Sequence, residues 1–245
     1  MKNIKLTLIA LVGITFVGCG SSGDSTTTTT NLTKDLVVYY QFENNTNDSS
    51  TNQYNADAYG ETKYVDGKIG KAISLDGVND YVDTDGKMSA NATDGDYLTY
   101  TAWINPTSCD TDSALPIIWD DDWQNGGDRG IGLTSINNEC KFTLFREGDG
   151  FGNLYSHQNI NLNEWQFVAF TLNGKNKKTL YINGEEDANS SIEYSFDHTG
   201  RSRIVVGSAH DGYWNHFKGA IDEVRVYKRA LSKEEIQELY NEANK

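Results

Sequence analysis

Proline is nearly missing from this 245-residue chain, with two in all, and only three cysteines occur. Scarce proline beside 23 glycines, many of them in Asp-Gly and Asn-Gly pairs, points to frequent tight turns rather than disorder. Basic residues are outnumbered 35 to 21, for a formal charge of −14. The charge becomes −16 once residues 1–18, which hold Lys2, Lys5 and no acids, are removed. That balance excludes nucleic acid as a partner, because phosphate binding needs clustered Lys and Arg. It also excludes electrostatic adhesion to anionic lipid. Metal cations and neutral ligands such as glycans stay compatible, and acidity alone keeps a secreted protein soluble. Several catalytic signatures are missing: there is no His-Glu-x-x-His, no Gly-x-Ser-x-Gly, no Walker loop and no dinucleotide fingerprint. His210 and His216 flank one loop without a spaced acid or thiol, and so read as surface or rim residues rather than a zinc site.

The apolar stretch 6–17 is too short to span a bilayer, which takes about 20 residues. Preceded by Lys2 and Lys5, it reads as a signal peptide, residues 1–18. Phe16-Val17-Gly18-Cys19 resembles the bacterial lipobox, in which the cysteine becomes lipid-modified and N-terminal. Phe stands where Leu is more usual. The polar run that follows, with Thr26 to Thr30, cannot build a core and behaves as a flexible tether, residues 19–31. Residues 32–245 are then expected to fold as one domain outside the cytoplasm, touching the membrane only through the lipid. Gly at position 20, by resemblance to the enterobacterial sorting rule, implies the outer membrane or cell surface.

With Cys19 assigned to lipid, Cys109 and Cys140 remain. An even pair in an oxidising compartment predicts a disulfide, two free thiols being the alternative. Short runs rich in Val, Ile, Tyr, Phe and Trp recur between turn signals, which predicts an antiparallel sandwich or barrel. WQFVAFTL (165–172) is apolar on both faces and should be a central strand. In IDEVRVY (221–227), Asp222, Val224 and Val226 alternate onto one face, expected to point inward. Ser232 with Glu235 forms a capping box for one C-terminal helix with an Ile236, Leu239, Tyr240 stripe.

Several blocks together resemble the laminin-G-like, concanavalin A-like jelly rolls of secreted bacterial proteins. They are LVVYYQFENNTNDSSTNQYNA, GKIGKAISLDGVNDYVDT, YTAWINPTS, WQFVAFTLNGKNKKTLYINGE and FKGAIDEVRVYKRALSKEEIQELY. The resemblance covers roughly residues 35–242. It implies an all-β, two-sheet antiparallel jelly-roll sandwich with a short C-terminal helix, one sheet concave and variable loops at the rim. Laminarinase-like hydrolases of this fold carry a Glu-x-Asp-x-x-Glu strand, and none is found here, so no reaction is predicted. The resemblance further implies a structural calcium shared by the first and last strands, for which Asp222, Glu43 and Asp76 are the candidate ligands. Asp222 would otherwise serve as a turn anchor bonded to backbone amides.

Two loops combine Trp with acids and amides, the chemistry of a sugar site, where a ring stacks on C–H groups and polar groups take hydroxyls. One runs from Asp120 through Asp122 and Trp123 to Arg129; the other holds His210, Tyr213 and Trp214, with Arg146 on a strand nearby. The two tryptophans are alternatively core caps, and the Asp120–Asp122 run a second calcium site. The expected partner is a glycan or an extracellular protein, with an unusual glycoside hydrolase as a further alternative.

Overall fold

A computed structural model describes residues 30–109, 114–121, 128–146, 151–193, 202–209, 212 and 215–245, apart from the side chains of 146 and 151–153. Among the described residues, fifteen strands form two antiparallel sheets and one helix follows them. In chain order they are β1 Leu36–Tyr40, β2 Asp57–Tyr59, β3 Lys63–Asp66, β4 Lys71–Asp76, β5 Tyr81–Asp83, β6 Tyr97–Pro106, β7 Leu115–Asp121, β8 Arg129–Ile136, β9 Glu139–Arg146, β10 Phe151–Tyr155, β11 Gln166–Asn173, β12 Lys178–Ile182, β13 Glu185–Ser190, β14 Arg203–Val206, β15 Lys218–Tyr227 and α1 Lys233–Glu242. The first sheet has the order β13-β12-β11-β6-β15-β4-β3, with β1 also paired to β15; the second has β10-β9-β8-β7-β14-β5-β2.

Local chemistry explains the reversals. Asn137-Asn138 joins β8 to β9, and Asn183-Gly184 joins β12 to β13, all four at positive φ (+53°, +66°, +51°, +81°). Two left-handed residues in a two-residue loop match the twist of the flanking strands. Between the sheets lies one apolar core, including Val38, Tyr100, Ile104, Ile117, Leu133, Phe142, Phe170, Ile204 and Val226. As its sequence predicts, β11 is covered on both faces. Val168, Phe170 and Leu172 face this core, while Phe167 and Ala169 face a second cluster beneath α1. That helix has its capping box at Ser232 and Glu235 and buries Ile236 and Leu239. Tyr240 stacks on Trp103 of β6 at 5.5 Å.

The last strand departs from simple alternation. β15 shares one edge between two partners, β4 beside residues 218–221 and β1 beside 224–227. At the handover the register with β6 shifts between Asp222 and Arg225, and Glu223 takes φ +52°. This bulge inserts an extra residue, so Ile221, Val224 and Val226 all reach the core. Asp222 is thereby turned away from Val224 and lies opposite Trp103, on the helix side of the sheet. The inward face expected for Asp222 from strict alternation is corrected by this one residue.

Cys109 and Cys140 form a disulfide with Cα atoms 5.7 Å apart, which ties the chain after β6 to β9.

Candidate functional site

The residues expected to hold calcium divide into two places. Asp222, fully buried, accepts from the amides of Lys68 (2.9 Å) and Ile69 (3.0 Å) through Oδ2, and from Glu223 N (2.8 Å) through Oδ1. Glu43 Oε1 accepts from Lys71 N at 3.0 Å. These two carboxylates therefore clasp the 67–71 turn from either side. Gly70, at φ +53°, is glycine because a Cβ there would run into the Glu43 carboxylate. Asp76 stands at the other end of β4, opposite Lys218, where its Oδ1 accepts from Val78 N (2.7 Å) and Asn79 N (3.2 Å). The trio does not converge, and no group of three His, Cys, Asp or Glu side chains suited to a metal occurs among the described residues. Amides take three acceptor positions on Asp222 and one on Glu43, the bonding of a turn anchor. Burial pushes the Asp222 carboxyl up to about 7 against the pull of those amides. Close by, Arg225 bonds Glu223 (2.9 Å), Glu242 (3.1 Å) and the Tyr39 hydroxyl (2.7 Å).

Asp120 and Arg129 are likewise no rim residues. They are cross-strand neighbours on β7 and β8, both fully buried, and pair at 3.2 Å. Asp120 also accepts from the Thr93 hydroxyl (2.8 Å) and the Tyr100 hydroxyl (2.8 Å). Arg129 donates to the carbonyls of Gly95 (3.2 Å) and Thr93. The pair pins the 93–95 segment onto the second sheet from inside, which corrects the ligand role expected for both. Asp122, Trp123, His210, Tyr213 and Trp214 lie outside the described residues, as do Cys19 and the side chain of Arg146. Their anchoring residues are described: Asp121 pairs with Arg203 at the start of β14, while Gly207, just past its end, bonds Ile117. Asp121 and Ile117 thus stand beside opposite ends of β14, roughly 13 Å apart at the strand rise.

A concentration of aromatic and charged groups appears instead on the outer face of the second sheet. Trp119, Phe145, Val205 and Ala209 pack there, with Tyr81 against them. Tyr59 and Tyr81 are cross-strand partners whose rings stack in parallel, 4.7 Å between centroids and 5° between planes. Next to them Asp83 takes the Arg203 guanidinium through Nε (2.8 Å) and Nη2, and Asp121 lies 3.7 Å from Arg203 Nη1. Burial first, then the charge of Asp128, pushes the Asp121 carboxyl up to about 7. His216 bridges the Asp80 and Gly212 carbonyls and sits 6.1 Å from the Tyr81 ring. By contrast, a cleft of about 510 Å³ beside the disulfide is lined by Asn138, Glu139, Asn159, Asn161, Leu162 and Glu164 and offers no aromatic ring. The sequence carried a signal for the better site. The alternation Tyr81-Val82-Asp83 puts a ring and a carboxylate on one face, but neither Tyr59 nor Arg203 is near it in the chain.

Residues 76–237 match the profile of the family described as the concanavalin A-like lectin/glucanases superfamily. Over 91 residues the chain is 30% identical to Paraclostridial mosquitocidal protein 1 of Paraclostridium bifermentans, which is 37% of this chain and 7% of that protein. The chain thus spans a small fraction of that relative's length. Domain 4 of a GH43 extracellular arabinanase from Geobacillus stearothermophilus, solved with arabinotriose, superposes with a TM-score of 0.66 at 22% identity, over 84% of this chain and 98% of that one. The binding domain of the mosquitocidal protein gives 0.62 at 18% identity, over 86% and 53%. The binding domain of botulinum neurotoxin DC in complex with SialylT gives 0.61 at 15%, over 86% and 52%. At these identities the likeness establishes the fold.

Proposed function

The chain belongs to the concanavalin A-like lectin/glucanases superfamily, and from that premise we propose that it is a lipid-anchored module outside the cytoplasm that binds a glycan. The observation that carries this reading is the parallel Tyr59–Tyr81 stack beside the Asp83–Arg203 pair on the outer face of the second sheet. Aromatic rings give a sugar its apolar contact, and fixed carboxylate and guanidinium groups give its hydroxyls partners. The solved arabinanase domain with arabinotriose and the neurotoxin domain with SialylT support the same ligand class. No reaction is assigned to this face. Lipidation at Cys19 with a tether through residue 31 would hold the domain off a membrane surface, in keeping with residues 6–17 being too short to span one.

Two measurements test the reading. The full chain, expressed in a lipoprotein-processing host, should partition into the detergent phase of Triton X-114, and Cys19→Ser should move it to the aqueous phase. Detergent-solubilised full chain should give hits on a glycan array that fall at least tenfold in Tyr81→Ala, with unchanged near-ultraviolet circular dichroism outside the lost ring. Hits that survive Tyr81→Ala would take the site off this face. No hits at all would move the ligand to an extracellular protein.

A further inference from the structure

Asp80 joins the strands that carry the ring stack. Its buried carboxylate accepts from Glu61 N at 2.7 Å and from Asp76 N at 3.1 Å, which ties the turn after β2 to the end of β4. Its carbonyl faces His216 Nδ1 at 3.4 Å, and the next residue is Tyr81. The other ring nitrogen of His216, Nε2, lies 3.0 Å from the Gly212 carbonyl. Gly212 in turn closes on the stack. It takes φ +74°, which glycine accommodates, and a Cβ there would lie 2.5 Å from Tyr81 Cε1. Contacts therefore run from His216 through Gly212 to Tyr81, and from Tyr81 to Tyr59.

A carbonyl oxygen only accepts, and a neutral imidazole has a single N–H. When neutral, His216 donates to one of its two carbonyls; when protonated, it donates to both. Histidine changes charge between about pH 5 and 8, so the bridge is complete on the acid side of that range and loses one bond on the other. The groups around it are Asp76 at the end of β4, Asp80 in the following turn, Tyr81 of β5 with its ring 6.1 Å away, and Lys218 of β15 opposite Asp76. Amide bonds led by Val78, and last the His216 charge, hold the Asp76 carboxyl below its ordinary value. Resting on the reading that this face is the glycan site, we propose that His216 is a positioning residue of that site: its imidazolium, bonded to Asp80 and Gly212, seats Gly212 on Tyr81 and so fixes the ring stack for the ligand. Glycan affinity then falls as pH rises and the second bond is lost, because a ring left free must be ordered on binding.

The test reads the glycan array with the detergent-solubilised full chain at about pH 5.5 and about pH 8, the two sides of a histidine titration. Hits should weaken about two- to tenfold at the higher pH, the weight of one hydrogen bond. His216→Gln keeps one donor and cannot charge, so it should show the weaker level at both. Asp121 on the same face has its carboxyl pushed up to about 7. A pH dependence that survives His216→Gln would therefore belong to Asp121 and overturn the inference. Equal hits at both pH values in the unsubstituted chain would overturn it too, while leaving the glycan reading in place. Proton NMR gives a reading free of ligand. The Tyr59 ring signals should shift with the His216 titration, and His216→Gln should abolish that shift. Tyr59 signals that ignore the His216 titration would overturn the inference whatever the array shows. No hits at either pH would remove the glycan reading itself, with the clasp then judged by NMR alone.

Discussion

Replacing Asp120 by Ala should cost far more stability than a surface substitution, because it takes a carboxylate from a buried guanidinium. Arg129 has no accessible surface, and its guanidinium would lose its carboxylate while staying in the core. The Thr93 and Tyr100 hydroxyls would each lose an acceptor. Breaking a buried pair from one side costs about 3–5 kcal/mol, against a total stability of about 5–15 kcal/mol. Arg129→Met should cost a similar amount, since it abandons a buried carboxylate and frees the Thr93 and Gly95 carbonyls. The double variant leaves no charge behind. It should cost less than the two singles combined, with a coupling of about 2–3 kcal/mol, the upper part of the range for residues in contact. Urea unfolding followed by tryptophan fluorescence reads this directly. With a slope of about 3 kcal/mol per molar for a domain of this size, each single variant should lower the midpoint by about 1–1.7 M without changing the slope. Ligand affinity, measured well below the midpoint, should not move. Single losses under about 1 kcal/mol, or costs that simply add, would refute the argument that this pair is a buried, interdependent anchor. A loss of affinity at full folding would return Asp120 and Arg129 to the ligand role their position in the sequence suggested.

Further outcomes follow from the same structure. Removing the Cys109–Cys140 bridge by a double serine substitution should cost about 3–4 kcal/mol, as expected for a loop closed at a separation of 31 residues, and lower the melting temperature. Asp222 holds its proton up to about pH 7 in the folded chain against an ordinary value of 3.8, so the unfolded chain releases that proton first. Stability should therefore fall as pH rises from about 4 to 7 and level off above. The swing from this group is at most about 4 kcal/mol, and Asp222→Asn should remove that component of the slope in melts run across the range. Gly130→Ala should cost at least about 1–3 kcal/mol by calorimetry, because its methyl would collide with the Ile118 carbonyl oxygen and lie 2.9 Å from the Trp119 ring.

Much of the fold could be read in the chain because it depends on local patterns. Turn pairs such as Asn183-Gly184, the doubly apolar run of β11, and the Ser232–Glu235 capping box each act within a few residues. The Cys109–Cys140 bridge was expected from the sequence and is present. The site was harder to read. Asp120 and Arg129 look like loop residues in a polar segment, and only strand pairing shows that they face inward and neutralise each other. Glu43 and Asp222 come from opposite ends of the chain, and only the fold shows that both accept from amides of the 67–71 turn.

By itself, the order of residues determined the two-period strand pattern, the reversals, the closing helix and the acidic character of the surface, since each follows from composition or short-range spacing. The side of the sheet that Asp222 occupies was decided only in three dimensions. β15 changes partner from β4 to β1 in mid-strand, and the bulge that absorbs the change reverses the face of one residue. The Tyr59–Tyr81 stack and the Asp83–Arg203 pair were decided in the same way, by register between strands 22 and 120 residues apart. Side chains so far apart in sequence leave no shared periodicity, and only hydrogen-bonded backbone brings them to one face.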